Sequence, residues 1–226
     1  MTKGTKRVIL SWSGGKDSTL ALEGLRRDPH YSITALLTTV TEDYERVSMH
    51  GTRVSLVKRQ AEAIGIPLET MPIPRGAGND EYESRMRKML TRSRADGVTA
   101  VAFGDVLLED VRRYREERLA QVGMKGLFPL WKNNTTDMAR NFIEAGYRAI
   151  LSCVDSHHLD RSFVGREFDE QLLSDLPGGV DPCGENGEFH TFVYAGPILR
   201  RPVPVNKGEI VFRENRFWFC DLIETS

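Results

Sequence analysis

Cysteine is nearly absent from the 226-residue sequence: there are three, Cys153, Cys183 and Cys220, far apart and with no CxxC pair. Their odd number and spacing exclude a disulfide framework and a cysteine-rich structural zinc site. An excess of either charge is also missing. Thirty-one Lys and Arg stand against 32 Asp and Glu, a net charge of -1, so no global basic field draws the chain to nucleic acid or an anionic membrane. A local basic patch stays open. No apolar run reaches membrane-spanning length, and the run after Arg7 is too short for a signal-peptide core with a cleavage site. A cytosolic compartment is expected, with no membrane partner. Internal repeats and low-complexity segments are absent too.

What remains is an ordinary globular composition, 40% apolar and 28% charged with 20 Gly and 10 Pro. That suits one domain, or one domain with a modest appendage. Short β-branched runs at 7–12, 33–40, 68–73, 98–103 and 148–154 alternate with helical patterns at 17–27, 52–64, 80–96, 108–122 and 135–145. Such alternation predicts an α/β fold with a mainly parallel five-stranded sheet and helices on both faces. From about Pro177 the texture changes to a Pro/Gly-rich loop. A strand at 190–195 and a hairpin over 209–212 and 216–220, turning at Glu214-Asn215, follow. The expected division is a nucleotide-binding domain over 1–122 and a smaller C-terminal α+β region over 123–226, its start falling loosely between Gly104 and Gly123.

The first strand ends abruptly at Ser13-Gly14-Gly15-Lys16-Asp17-Ser18, after which helical spacing resumes. A strand, glycine turn and helix converge backbone N–H groups on the positive end of a helix dipole, which is an anion site. Gly14 and Gly15 admit positive φ and let phosphate oxygens approach the backbone. Lys16 adds a charge, and Ser13 and Ser18 add hydroxyl donors. Asp17 is either a helix cap or a Mg²⁺ ligand. The six-residue string favours phosphate over a plain capped turn, and it is neither a Walker A loop nor GxGxxG. Asp105, after Gly104 at the end of the fourth run, should emerge at the carboxyl edge of the sheet, where open α/β sheets bind ligands.

A second unusual stretch is "GVDPCGENGEFHTFV", with Glu185, Asn186, Glu188, His190 and Thr191 braced by Gly184 and Gly187. Carboxylates and an amide could hold ammonium there, and an imidazole or carboxylate could take its proton. Composition alone equally allows a solvated polar loop.

The string at 13–18 looks like the pyrophosphate loop of the N-type ATP pyrophosphatases. Together with 184–191, and with "SMHGTRVSLVKRQAEAIGIPL", "VAFGDVLLEDVRRYREERL" and "FPLWKNNT" between them, it resembles the diphthine–ammonia ligase family over nearly the whole chain. "CVDSHHLDRSFVGREFDE" and "VDPCGENGEFHT" look closer to its bacterial members. The resemblance implies an adenine-nucleotide-hydrolase-type fold and an amide ligase that forms AMP and pyrophosphate. Such an enzyme adenylates a carboxylate and joins it to free ammonia. It implies ATP and Mg²⁺, phosphates on 13–18, adenine near the backbone of Thr38, and an active site between that loop, Gly104, Asp105 and 185–191. Lys16, Glu185, Asn186, Glu188 and His190 are then the catalytic candidates, Asp17 the candidate metal ligand, and the acceptor an unidentified metabolite or protein side chain. Two rivals remain, a tRNA-thiolation enzyme on the same fold and an ATP-binding regulatory module without turnover. The first would need a basic extension and paired cysteines; the second has no use for an ammonium loop.

Elsewhere, His50 divides evenly between substrate contact and surface loop. Tyr114 and Arg115 stand out weakly from a charged helix that also carries Arg113. His157, His158, Cys183 and His190 match no zinc spacing. Trp131 reads as a packing residue, and Phe212, Phe217 and Phe219 as core or a homodimer face.

Overall fold

The computed structural model describes residues 4–225. Five parallel strands form the first sheet: β1 (Lys6–Ser11), β2 (Tyr31–Thr41), β4 (Leu68–Ile73), β5 (Val98–Ala102) and β6 (Lys125–Leu127), in the spatial order β4-β2-β1-β5-β6. The two-residue β3 (Arg46–Val47) pairs antiparallel with the last residues of β2. Helices α1 (Lys16–Arg27), α2 (Val54–Ile64), α3 (Asn79–Ala95) and α4 (Glu109–Ala120) alternate with these strands.

Both faces of this sheet are covered, which is why its central strands read as unbroken apolar runs. Val8 and Leu10 of β1 belong to one buried cluster with Leu22 of α1 and Leu56 of α2. Ile9, between them, points into the opposite cluster with Leu37, Val101, Leu90 of α3 and Leu119 of α4. The period of two in the strands thus sorts alternate residues into two cores.

One expectation is corrected. The run at 148–154 is a strand, β7 (Arg148–Asp155), but it lies outside the parallel sheet. It joins β8 (Phe189–Ala195), β9 (Val205–Arg213) and β10 (Phe217–Glu224) in an antiparallel sheet ordered β8-β7-β10-β9. The fifth parallel strand is β6, three residues long and too short to register as a periodic run. Helices α5 (Thr135–Glu144) and α6 (Glu170–Asp175) accompany the second sheet. The β9–β10 hairpin turns through Glu214, Asn215 and Arg216, the first two at positive φ (54 and 51°), and the Arg216 N–H closes the turn on the Arg213 carbonyl (3.1 Å).

The α1/α2 cluster runs without a break into the second sheet through Phe142, Leu151, Phe192 and Leu222. The antiparallel sheet therefore packs on the α1/α2 side of the molecule. Among the described residues no helix is long and apolar enough to cross a membrane.

Candidate active site

From β1 the chain moves to β2 on one side, while β5 arrives on the other. The carboxyl ends of β1 and β5 therefore flank a point where strand order reverses, the crevice in which open α/β sheets take ligands. The loop at 13–18 leaves β1 there, and Gly104 and Asp105 leave β5. The two segments touch: a Cβ on Gly104 would lie 2.8 Å from the Asp17 carbonyl carbon.

Gly14 takes φ 81° and starts the turn into α1, and Gly15 stands at the N-cap. The Gly15 N–H donates to Ser13 Oγ (3.2 Å) and Ser18 Oγ donates to the Gly15 carbonyl (3.0 Å). Asp17 therefore does not cap the helix. One of its oxygens meets Lys16 Nζ at 2.9 Å and the other, Oδ1, is buried without a partner. Thr38 is buried with its hydroxyl turned to the Trp12 carbonyl. Its neighbours Leu37 and Thr39 line a 210 Å³ cavity bounded by Phe103, Tyr82 of α3 and Arg115 of α4.

The second motif lies directly against the first. Thr191 Oγ1 accepts the Lys16 backbone N–H (3.0 Å), and the Val193 N–H donates to the Gly14 carbonyl (2.9 Å). The Lys16 side chain is fully buried and donates to the Cys183 carbonyl, with the rings of Phe168 and Phe189 about it. Burial alone would lower its pKa, but the Asp17 carboxylate beside it turns the net shift upward. Lys16 thus stays charged and joins both loops.

Glu185 is partly buried, and its carboxyl is pushed up to about 7, first by burial and then by repulsion from Asp17. Asn186 is exposed. Glu188 is buried and accepts from the N–H groups of Asp181 (3.0 Å) and Asn186 (2.9 Å) and from Asn186 Nδ2 (2.9 Å). Burial would raise its pKa, yet those donors pull it below the usual range. Its carboxylate ties the loop together. His190 packs its ring on His50, with centroids 4.2 Å apart. Asp105 pairs with Arg115 at 2.8 Å, and its carboxyl is raised by burial against that guanidinium.

Gln60 lies outside both motifs. It is buried on the apolar stripe of α2, accepts from Trp12 Nε1 (3.1 Å) and donates to the carbonyls of Gly14 (2.9 Å) and Val193. The available signal was a lone amide at a core position between Leu56 and Ile64. His50, weighed evenly, turns inward, and Arg115 proves to be the partner of Asp105. Arg113 is exposed, and Tyr114 donates to Glu83 on the surface (3.0 Å). His157 is 65% exposed beside Asp155, and among the described residues no group of three His, Cys, Asp or Glu could hold a metal ion. Trp131 packs edge-on to Phe128, as read. Phe212 is exposed, whereas Phe217 and Phe219 line a cleft beside His190.

Known proteins can be set beside this geometry. The family model described as the diphthamide synthase N-terminal domain matches residues 6–126, and that of the diphthamide synthase C-terminal domain matches residues 134–224. The chain is similar to three curated proteins named diphthine–ammonia ligase. It is 25% identical to that of Bos taurus over 91% of this chain and 85% of the relative. It is 26% identical to that of Mus musculus and 27% to that of Rattus norvegicus, at the same coverage.

Proposed function

The chain belongs to the diphthamide synthase family, both of whose domain models it matches, and from that premise we propose that it is an ATP-dependent amide ligase. In this reading it activates a carboxylate as an acyl-adenylate, releasing pyrophosphate, and then joins the acyl group to ammonia, releasing AMP. The relatives' name supplies ammonia as donor and diphthine as the first acceptor to try. The observation that carries the reading is the joining of both motifs through Lys16, which sets an anion-binding helix terminus against a polar loop.

The β,γ-phosphates rest on residues 13–18, where the N-terminus of α1, Ser13, Ser18 and Lys16 stabilise charge on the departing pyrophosphate. The adenosine lies near Thr38, its base in the cavity between Leu37, Thr39 and Phe103. Gly104 keeps the backbone close to Asp17, and Asp105 with Arg115 borders the same crevice. Mg²⁺ fits Asp17, whose buried Oδ1 lacks a partner and whose charge repels Glu185. A cation held there supplies charge neutralisation at the phosphates. Glu185, Asn186 and His190 serve the ammonia half-reaction, and Glu188 positions their loop. Residues 1–122 carry the nucleotide and 123–226 the acceptor side. Three free, buried thiols fit a cytosolic setting.

The test is incubation with Mg·ATP, ammonium and a panel of carboxylates that begins with a diphthine-bearing protein. Phosphorus NMR should find AMP and pyrophosphate formed only with the right acceptor. ADP and phosphate as the products would overturn the reading.

A further inference from the structure

A cleft of about 600 Å³ opens between residues 41–51, the loop at 73–77 and the β9–β10 hairpin, with His190 among its walls. The His50 ring packs on that of His190 at a 40° tilt. Both are held from the backbone: Ser152 Oγ lies 3.4 Å from the His50 carbonyl and 3.3 Å from that of His190. A tight turn delivers His50, with its N–H donating to the Ser48 carbonyl (2.9 Å) and Met49 at φ 67°, a conformation uncommon for a residue with a long side chain. The outcome is a buried His50 Nδ1 with no hydrogen-bond partner. Buried polar atoms in folded proteins nearly always have a partner, so this one demands an explanation.

We infer that His50 and His190 together form the ammonia site of the ligase, taking the donor as neutral NH₃, with His50 the second of the two partners. This rests on the amide-ligase reading. Two ring nitrogens offer lone pairs to the N–H bonds of ammonia and leave its own lone pair free. The surroundings keep both rings uncharged. His190 is pushed down to about 4 by burial and then by Lys16, and His50 falls well below its ordinary value through burial, His190 and Lys16. The neighbouring charges disfavour ammonium. Lys16 of α1 is positive, and Cys153 of β7, opposite His190, is held protonated by a pKa pushed up to about 12. Asp221 of β10 is committed to Arg46 (2.9 Å) and Arg53 (2.7 Å). The cleft's other carboxylates, Glu209 and Glu214, sit on β9 and its turn, and β9 is three strands from β8 in the sheet.

In the step this implies, the ammonia lone pair attacks the acyl carbon of the adenylate and a C–N bond forms. The C–O bond to phosphate breaks and AMP leaves with that electron pair. The attacking nitrogen sheds one proton to an imidazole nitrogen, which passes it to water.

The experiment loads the whole protein with a non-hydrolysable ATP analogue and titrates it with ammonium chloride, using potassium chloride as control. Ring ¹⁵N shifts of the five histidines are followed, with His50→Asn and His190→Asn assigning the signals. The His50 and His190 signals should move with ammonium and not with potassium. The midpoint in total ammonium should fall about tenfold per pH unit, because the bound form has lost a proton, and His50→Asn should raise it at least tenfold. Silent rings, an equal response to potassium or a pH-independent midpoint would overturn the assignment, and the wild-type titration decides this even if a variant fails to fold. Phosphorus signals of the analogue in the same samples separate the two ideas. Bound nucleotide with silent rings removes the ammonia site alone, whereas an analogue that does not bind removes the ligase reading and this site with it.

Discussion

Replacing Gln60 with leucine tests how the glycine loop is held. The side chains are close in size, so packing is roughly kept while three hydrogen bonds disappear. Trp12 Nε1, buried in the core, loses its acceptor at 3.1 Å, and an orphaned donor of that kind costs about 1–3 kcal/mol. The Gly14 carbonyl keeps the Val193 N–H at 2.9 Å but loses the amide, and the Val193 carbonyl loses its amide donor too. Those two bonds add about 0.5–1.5 kcal/mol each, and easier burial of leucine returns part of the sum. A net loss of about 2–4 kcal/mol follows, a large part of the stability of a typical domain. Urea denaturation with an unchanged m-value reads it directly. Because Gly14 also loses its brace, ATP affinity by calorimetry should fall about tenfold or more, donors being effective only when preorganised. A stability loss under about 1 kcal/mol with ATP affinity intact would refute the idea that Gln60 locks the loop to β8.

Two further outcomes are expected. Lys16→Met should weaken ATP by about 10²-fold and AMP much less, since a charge near the β,γ-phosphates acts on groups that AMP lacks; equal weakening in calorimetry would place Lys16 away from them. Glu185→Gln should gain stability relative to wild type as pH rises from 4.5 to about 7. The folded carboxyl holds its proton in that window while the unfolded one has released it, so wild type alone loses stability there, by about 3 kcal/mol at most. Parallel pH–stability curves for the two proteins would show that the carboxyl is not raised.

The alternation of β-branched runs and helical patterns was enough to announce a parallel α/β sheet, because strands buried on both faces must be apolar throughout. The string at 13–18 carried its chemistry locally: glycines, a lysine and hydroxyls between a strand and a helix act through backbone geometry that needs few distant partners. Helix ends at Arg27, Ile64 and Glu144 were close to legible for the same reason.

Sheet membership was not local. The β7 run is as apolar as β1, and only its pairing with β8 and β10 sends it to a second sheet, while β6 gains its place from β5 alone. The polar loop at 181–188 could equally have been solvated. Its structure follows from Glu188 collecting three of the loop's own donors, and from Lys16 reaching the Cys183 carbonyl from a position 167 residues earlier in the chain. Gln60 and His50 acquire meaning only from what faces them, the Gly14 carbonyl in one case and an imidazole in the other. Composition and periodicity specify which faces are buried. Which polar groups meet inside is decided by tertiary packing, because a buried amide or imidazole is tolerated only where another part of the chain brings its partner.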